Sequence, residues 1–318
     1  MHEMPKNVRE TVDELTAMYN ARALIQSAQK VSSRYRGDHG EQKRVRSKNE
    51  VAAYAIARMP ATYGAMHMAL GEAIKSVNIR IKSHLDCASG TGAAILAAQD
   101  LLGLGEIYYQ EREPAMREMA EEIFSHLGIP IQGMQTGDLR HTELPHADLV
   151  TEGYLLTELM PEDIEGVIAR LWAATDQMLL LVEPGTPEGF RLIQQAKNVV
   201  ASNGGHLMAP CIARSCPISE GDWCHFAVRV PRTQMHKQMK GGRLAYEDEK
   251  FCYAAFTREM MRLRVSDRVL RHPYIEPGRI TVKLCSRQGV EEKVITKKDP
   301  LWKRVRKVEW GESLSQLP

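Results

Sequence analysis

Short apolar runs that alternate with helical patterns across residues 81–205 predict an α/β fold with a parallel sheet covered by helices on both faces. Two further observations complete the layout. Residues 7–80 carry helical periodicity, and after residue 205 the sequence turns Cys-, Pro- and Gly-rich before strand-like runs resume. The 318 residues therefore divide into an N-terminal helical region (1–80), an α/β core (81–205), a cysteine-rich metal-binding insertion with the last core strands (206–257) and a small basic β-rich extension (258–318).

In chain order, Val8–Leu24 repeats apolar residues at three- and four-residue steps (Val12, Leu15, Met18, Tyr19), and Val51–Val77 does the same with Pro60 as a break. Arg34–Lys48 is polar, basic and Gly-containing, which predicts a mobile loop. The core strands are expected at Ser83–Ala88, Glu106–Gln110, Ile131–Gln135, Ala147–Thr151 and Gln177–Val182. Helices are expected at Ala93–Leu102, Pro114–Leu127, Pro161–Ala174 and Pro187–Asn203. Later strands are expected at Cys224–Val230, Lys250–Thr257 and Arg279–Cys285.

No apolar run approaches the ~18 residues of a membrane span, and Met1–Lys6 lacks the layout of a signal peptide, so neither a membrane protein nor a secreted one is expected. Six cysteines in a chain of this length predict reduced thiols or metal ligands, not a disulfide scaffold. The net charge of +2 hides an asymmetry, because residues 225–310 carry +11 against −9 elsewhere. Such a basic third suits a polyanion partner, or a solvated surface paired with the acidic remainder.

His84-Leu85-Asp86-Cys87-Ala88-Ser89-Gly90-Thr91-Gly92 falls where the first core strand turns into a helix. Small residues there let backbone approach a ligand at a helix N-terminus. The spacing from Asp86 resembles the D-x-G-x-G-x-G loop of class I S-adenosylmethionine-dependent methyltransferases, with Ala88 for the first glycine. That resemblance implies a Rossmann-like core. Asp86, Ala88, Ser89, Gly90 and Gly92 are the candidate cofactor residues. Glu111 ends the second strand, where a carboxylate accepts ribose hydroxyls, and Asp138 follows the third, within reach of an adenine amine. Methyl transfer asks the protein mainly to position the acceptor. The fourth strand is followed by Thr151-Glu152-Gly153-Tyr154, without the Asn/Asp-Pro-Pro-aromatic turn of amino-methylating enzymes. Glu152 and Tyr154 are the candidates to face an acceptor.

Cys211-x4-Cys216-x7-Cys224 places three thiols in loop-like sequence. Their unequal spacing suits an iron–sulfur centre, with zinc as the alternative. The fourth ligand lies among Cys252, Cys285 and His225; Cys252 and Cys87 read as buried strand residues.

Leu181-Val182-Glu183-Pro184-Gly185-Thr186-Pro187-Glu188-Gly189-Phe190, Ala209-Pro210-Cys211, Asp222-Trp223-Cys224-His225-Phe226 and Glu247-Asp248-Glu249-Lys250-Phe251 follow in order. With Ala53-Tyr54, Arg58-Met59-Pro60-Ala61-Thr62-Tyr63 and Trp310-Gly311-Glu312, they make the chain resemble the methyltransferase-like protein 17 family of mitochondria and its bacterial relatives. The resemblance implies a class I methyltransferase fold that binds S-adenosylmethionine and a [4Fe–4S] cluster on Cys211, Cys216, Cys224 and Cys285. It also implies association with the small ribosomal subunit or its precursor through rRNA, in rRNA methylation or in subunit assembly. A eukaryotic protein would then act in the mitochondrial matrix and a bacterial one in the cytoplasm. Relatives often carry histidine where this chain has Ala213. Arg229, Arg232, Lys237, Lys240, Arg304, Arg306 and Lys307 are the candidate RNA contacts, as a group. The competing readings are an inactive rRNA-binding assembly factor and a zinc-stabilised small-molecule methyltransferase.

Overall fold

The computed structural model describes residues 3–35, 45, 47–212, 216–218 and 221–315. The loop expected at Arg34–Lys48 and the position of Ala213 lie largely outside them, though Arg34 and Tyr35 end a helix and Lys48 begins one.

The N-terminal region is helical: α1 (Lys6–Thr16), α2 (Ala21–Tyr35), α3 (Lys48–Ala57) and α4 (Met59–Ser76). The single run expected over Val8–Leu24 is two helices, because the Asn20 side chain accepts the N–H groups of Arg22 and Ala23 and starts a new one. Pro60 sits in the first turn of α4, where its missing N–H costs nothing; the break falls at Arg58.

The core alternates β1 (Ser83–Cys87), α5 (Ala93–Leu102), β2 (Glu106–Gln110), α6 (Pro114–Leu127), β3 (Ile131–Gln135), β4 (Ala147–Gly153), α7 (Pro161–Ala173), β5 (Thr175–Pro184), α8 (Pro187–Ser202), β6 (His206–Ala209), β7 (Phe226–Pro231), α9 (Gln234–Lys240) and β8 (Tyr246–Thr257). The sheet order is β3-β2-β1-β4-β5-β8-β6, with β7 also paired to β8. The first five strands are parallel, while β8 runs antiparallel to β5, β6 and β7. Alternation along β5 sends Leu180 and Val182 into the core under α1–α6, and Leu179 and Leu181 into the core under α7 and α8. A strand buried on both faces is the physical meaning of the continuous apolar run Met178–Val182.

β6 and β7 pair with successive parts of β8, and the cysteine-bearing loop leaves the sheet between them. β7 begins at Phe226, not Cys224, so Cys224 stays in that loop. The C-terminal part forms a second, antiparallel sheet of β9 (Asp267–Val269), β10 (Tyr274–Glu276), β11 (Arg279–Ser286) and β12 (Gly289–Thr296), closed by α10 (Trp302–Val305). Of these strands only β11 has a readable pattern; β12 is largely exposed and charged. Trp310-Gly311-Glu312 pins this sheet to the rest. Gly311 N–H donates to Val269 O and Val269 N–H to Glu312 O, each at 2.8 Å. Gly311 has φ +95°, and a Cβ there would lie 2.5 Å from Met68 Cε of α4. The positive φ is what favours glycine there.

Candidate cofactor and metal sites

Asp86 at the end of β1 is 1% exposed and organises the first site. Its Oδ1 accepts the Thr151 hydroxyl at 2.6 Å and its Oδ2 accepts the Ser89 hydroxyl at 2.7 Å. Since Thr151 donates to Asp86, it accepts from His84 Nε2 at 2.7 Å, which puts the His84 proton on Nε2. Burial pushes Asp86 up to about 7 and holds His84 down to about 3, so the histidine is neutral. Gln110 spans the loop: its side chain accepts Ala88 N–H at 3.0 Å and donates to Gly137 O at 2.6 Å. It is a glutamine in a strand, and no motif marks it.

A cavity opens here, lined by Asp86, Ala88, Ser89, Gly90 and Thr91 below and by Tyr54, Thr62 and Met66 of α3 and α4 above. Thr91 Oγ1 is buried and has no hydrogen-bond partner among the described residues. Gly153 reaches the same cavity from β4. Small residues and the orphaned hydroxyls of Thr62 and Thr91 suit a polar ligand. Ala88 itself takes φ +55°, the left-handed conformation that the glycine it replaces adopts freely.

The other cofactor candidates do different work. Gly92 does not line the cavity; at φ +86° a Cβ there would lie 2.3 Å from the Phe124 ring, so the glycine serves packing against α6. Glu111 accepts Gly90 N–H through Oε2 and Glu113 N–H through Oε1, both at 2.7 Å, and thus ties the loop to β2. Asp138 is held below the usual carboxylate range by its two-point bond to Arg140, with Arg112 3.6 Å away.

Glu152 and Tyr154 turn away from the cavity. Glu152 is fully buried; its Oε1 accepts Leu155 N–H at 2.6 Å, while Oε1 of the equally buried Glu183 accepts Leu156 N–H at 2.7 Å. The second oxygens of the two carboxyls have no hydrogen-bond partner among the described residues, and burial raises both, Glu152 well above its ordinary range and Glu183 up to about 7. The folded state therefore holds protons that the unfolded chain releases near the ordinary value of 4.5. Stability falls as pH rises from there, through about 7 for Glu183 and beyond it for Glu152. Glu152→Gln removes one of these buried acids. Relative to wild type, this variant is expected to be more stable at pH 8 than at pH 5, by on the order of 1 kcal/mol. Urea unfolding at the two pH values measures the difference, and an equal effect at both would remove the raised carboxyl from the account. Tyr154, at φ +67°, donates to Glu249 at 2.9 Å beneath Arg58, which lies 4.7 Å from the ring and binds Glu249 through both terminal nitrogens at 2.8 and 2.9 Å.

The second site gathers the cysteines. Cys211, Cys216 and Cys224 from the β6–β7 loop and Cys285 of β11 line one cavity, with Ile212, Phe226, Leu270 and Arg268. Burial raises the Cys211 and Cys224 thiols and pushes Cys285 up to about 11. Among the described residues no three His, Cys, Asp or Glu side chains are grouped to hold a single metal ion. Cys252 is outside this cavity, on the α7–α8 side of the sheet, and its thiol donates to Cys224 O at 3.0 Å. His225 packs between Trp223 and Trp310, with ring centroids 5.4 and 5.0 Å away.

The candidate RNA contacts divide. Arg229 pairs with Asp248 at 2.7 Å and stacks on Tyr246, while Arg232 and Lys240 both bind Glu247 at 2.8 and 2.7 Å. These three charges are spent on the acids Glu247 and Asp248 of β8. Lys237 is half-buried on α9, Arg304 donates to Ser313 O at 3.3 Å, and Arg306 and Lys307 are exposed. Lys293, Lys297, Lys298 and Lys303 are exposed nearby in sequence.

A five-stranded parallel sheet carrying an antiparallel strand between β5 and β6, with a small-residue loop after β1, is the architecture of class I methyltransferases. Residues 48–315 match the family described as mitochondrial small ribosomal subunit Rsm22, and the chain belongs to that family. It is 26% identical over 293 residues to the human mitochondrial ribosome assembly protein METTL17, covering 83% of this chain and 62% of that protein. It is 24% identical over 202 residues to the Rsm22-cox11 tandem protein 2, mitochondrial, of Schizosaccharomyces pombe, covering 56% of this chain and 27% of that one. The chain thus spans less than two thirds of the length of these relatives. Among solved structures, the magnesium protoporphyrin IX methyltransferase ChlM of Synechocystis PCC 6803 with bound SAH has a TM-score of 0.40 at 13% identity, over 72% of this chain and 94% of that one. The YcgJ protein of Bacillus subtilis has a TM-score of 0.41 at 14% identity, over 61% and 99%. No helix of the described residues is long and apolar enough to cross a membrane.

Proposed function

We propose that this chain is a methyltransferase-like assembly protein of the small ribosomal subunit, with S-adenosylmethionine in the Asp86 cavity and a [4Fe–4S] cluster held by Cys211, Cys216, Cys224 and Cys285. The observation that carries this is the convergence of four thiols, from a loop and from a separate sheet, on one cavity with apolar walls. Four thiolates on one zinc ion would sit about 3.8 Å apart, given Zn–S bonds of about 2.3 Å. A cluster with iron at its corners holds them wider. Bound there, the group would supply a covalent tie between the β6–β7 loop and β11.

Methyl transfer is the less favoured half of the reading. The polar residues at the end of β4 are committed elsewhere: Glu152 to the Leu155 N–H beside Glu183, and Tyr154 to Glu249 under Arg58. The cofactor then serves to order the cavity beneath α3 and α4. Methyl-labelled cofactor offered with precursor small subunits is expected to bind without labelling rRNA.

RNA contact is assigned to the exposed cations between Lys293 and Lys307, in place of the paired Arg229, Arg232 and Lys240. Replacing Lys297, Lys298, Arg306 and Lys307 together by alanine should flatten the dependence of log affinity on log salt by about 3, at ~0.7–0.9 per phosphate contact. The test is a filter-binding or anisotropy series on small-subunit rRNA, and an unchanged slope would remove this surface from the proposal. The names of the relatives favour a mitochondrial place for a eukaryotic protein, while for a bacterial one the cytoplasm is our own expectation.

A further inference from the structure

We infer that Arg268 is a positioning residue for the group held by the four cysteines, clamping the segments that carry them and setting the charge balance of that group; this rests on the cluster reading above. Arg268 is 1% exposed and heads the largest fully buried side chains of the protein. A guanidinium that deep is costly unless its donors and its charge are met. Nη1 donates to Glu72 and, at 2.9 Å, to Gly311 O; Nη2 donates to Ser76 Oγ at 3.0 Å; Nε reaches Pro210 O at 3.4 Å. One side chain therefore joins α4, the C-terminal Trp-Gly-Glu segment and the residue that precedes Cys211. The β9–β11 register places it opposite Cys285. It also lines the cavity with all four thiols.

The planar fork has little room to move once its donors are taken, so the positive charge is fixed against the cavity wall. Glu72 is the carboxylate bound to it. A thiolate-bound cluster is anionic and gains one more negative charge on reduction. A fixed cation beside it favours the reduced state, and the adjacent carboxylate opposes that effect. Removing the two charges separately must move the reduction potential in opposite directions. A role confined to holding the fold together gives no such pair of signs.

The experiment is a dye-mediated potentiometric titration of the full chain purified without oxygen, with iron and acid-labile sulfide counted on each sample. Wild type is compared with Arg268→Met and Glu72→Gln. In protein that retains its cluster, Arg268→Met is expected to lower the midpoint potential and Glu72→Gln to raise it. Arg268→Met also loses the clamp and is expected to hold less iron per chain. If that variant does not fold, Glu72→Gln carries the test alone, since an amide keeps an acceptor for the guanidinium. Unmoved potentials, or two shifts of the same sign, in protein that holds iron would overturn the inference and leave the cluster in place. Wild-type protein without iron and sulfide would overturn the cluster reading, and the role of Arg268 with it.

Discussion

Protein carrying Cys285→Ser, purified without oxygen, is expected to hold no iron and no acid-labile sulfide, while Cys252→Ser keeps roughly four of each per chain. The two cysteines differ in their surroundings. Cys285 lies on β11, in the register pair with Arg268, and its side chain enters the cavity shared by Cys211, Cys216 and Cys224. Cys252 belongs to the core cluster with Ala254, Phe256 and Leu181 on the other side of the core sheet, and its thiol donates to the carbonyl of Cys224. Losing Cys285 removes the one thiol contributed by the C-terminal sheet. Cluster-dependent protection of that sheet should vanish as well, and hydrogen exchange of β9 and β11 would report it. One zinc per chain without sulfide would keep the four-thiol site but replace the cluster. Iron lost with Cys252→Ser instead would mean that the wrong fourth ligand has been named.

Asp86→Ala is expected to weaken S-adenosylmethionine binding by about 100-fold or more, and Asp138→Ala by no more than about 3-fold. Asp86 is the shared acceptor of Thr151 and Ser89, so its loss leaves two buried hydroxyls without their partner, and the loop that floors the cavity is no longer tied to β4. Each such orphaned group costs about 1–3 kcal/mol, and two reach the energy of a hundredfold change. Asp138 does not line the cavity, and its carboxylate is occupied by Arg140. Isothermal titration with S-adenosylmethionine or its demethylated product measures both variants. Equal losses would show that the third strand's acid contacts the ligand after all; no loss for Asp86→Ala would disconnect the cavity from the cofactor.

The strands and helices of the core were readable because each is set by nearby residues. Glu106–Gln110, Ile131–Gln135, Ala93–Leu102 and Pro114–Leu127 begin and end in the structure at the residues that periodicity marks. β6, β9 and β10 were not readable. They are three or four residues long, too short to show a period, and exist because β8 and β11 offer them an edge. β12 was missed because its charged residues face solvent, and only pairing with the whole length of β11 makes it a strand.

The same division runs through the sites. The small-residue loop after β1, the acid that closes the strand and the spaced thiols belong to the sequence, since each depends on residue type and spacing within one segment. Which of those groups meet was decided by the fold. Tertiary structure brought Cys285 to the β6–β7 loop and left Cys252 outside. It turned Glu111 onto Gly90 and Glu152 onto Glu183, and spent three of the basic residues on the acids of β8. It also buried Arg268, an unremarkable arginine along the chain, against the thiols and α4. The physical reason is common to all of these. A charge or a thiol takes its role from the partner and the dielectric it meets across the fold, and neither is encoded in its neighbours along the chain.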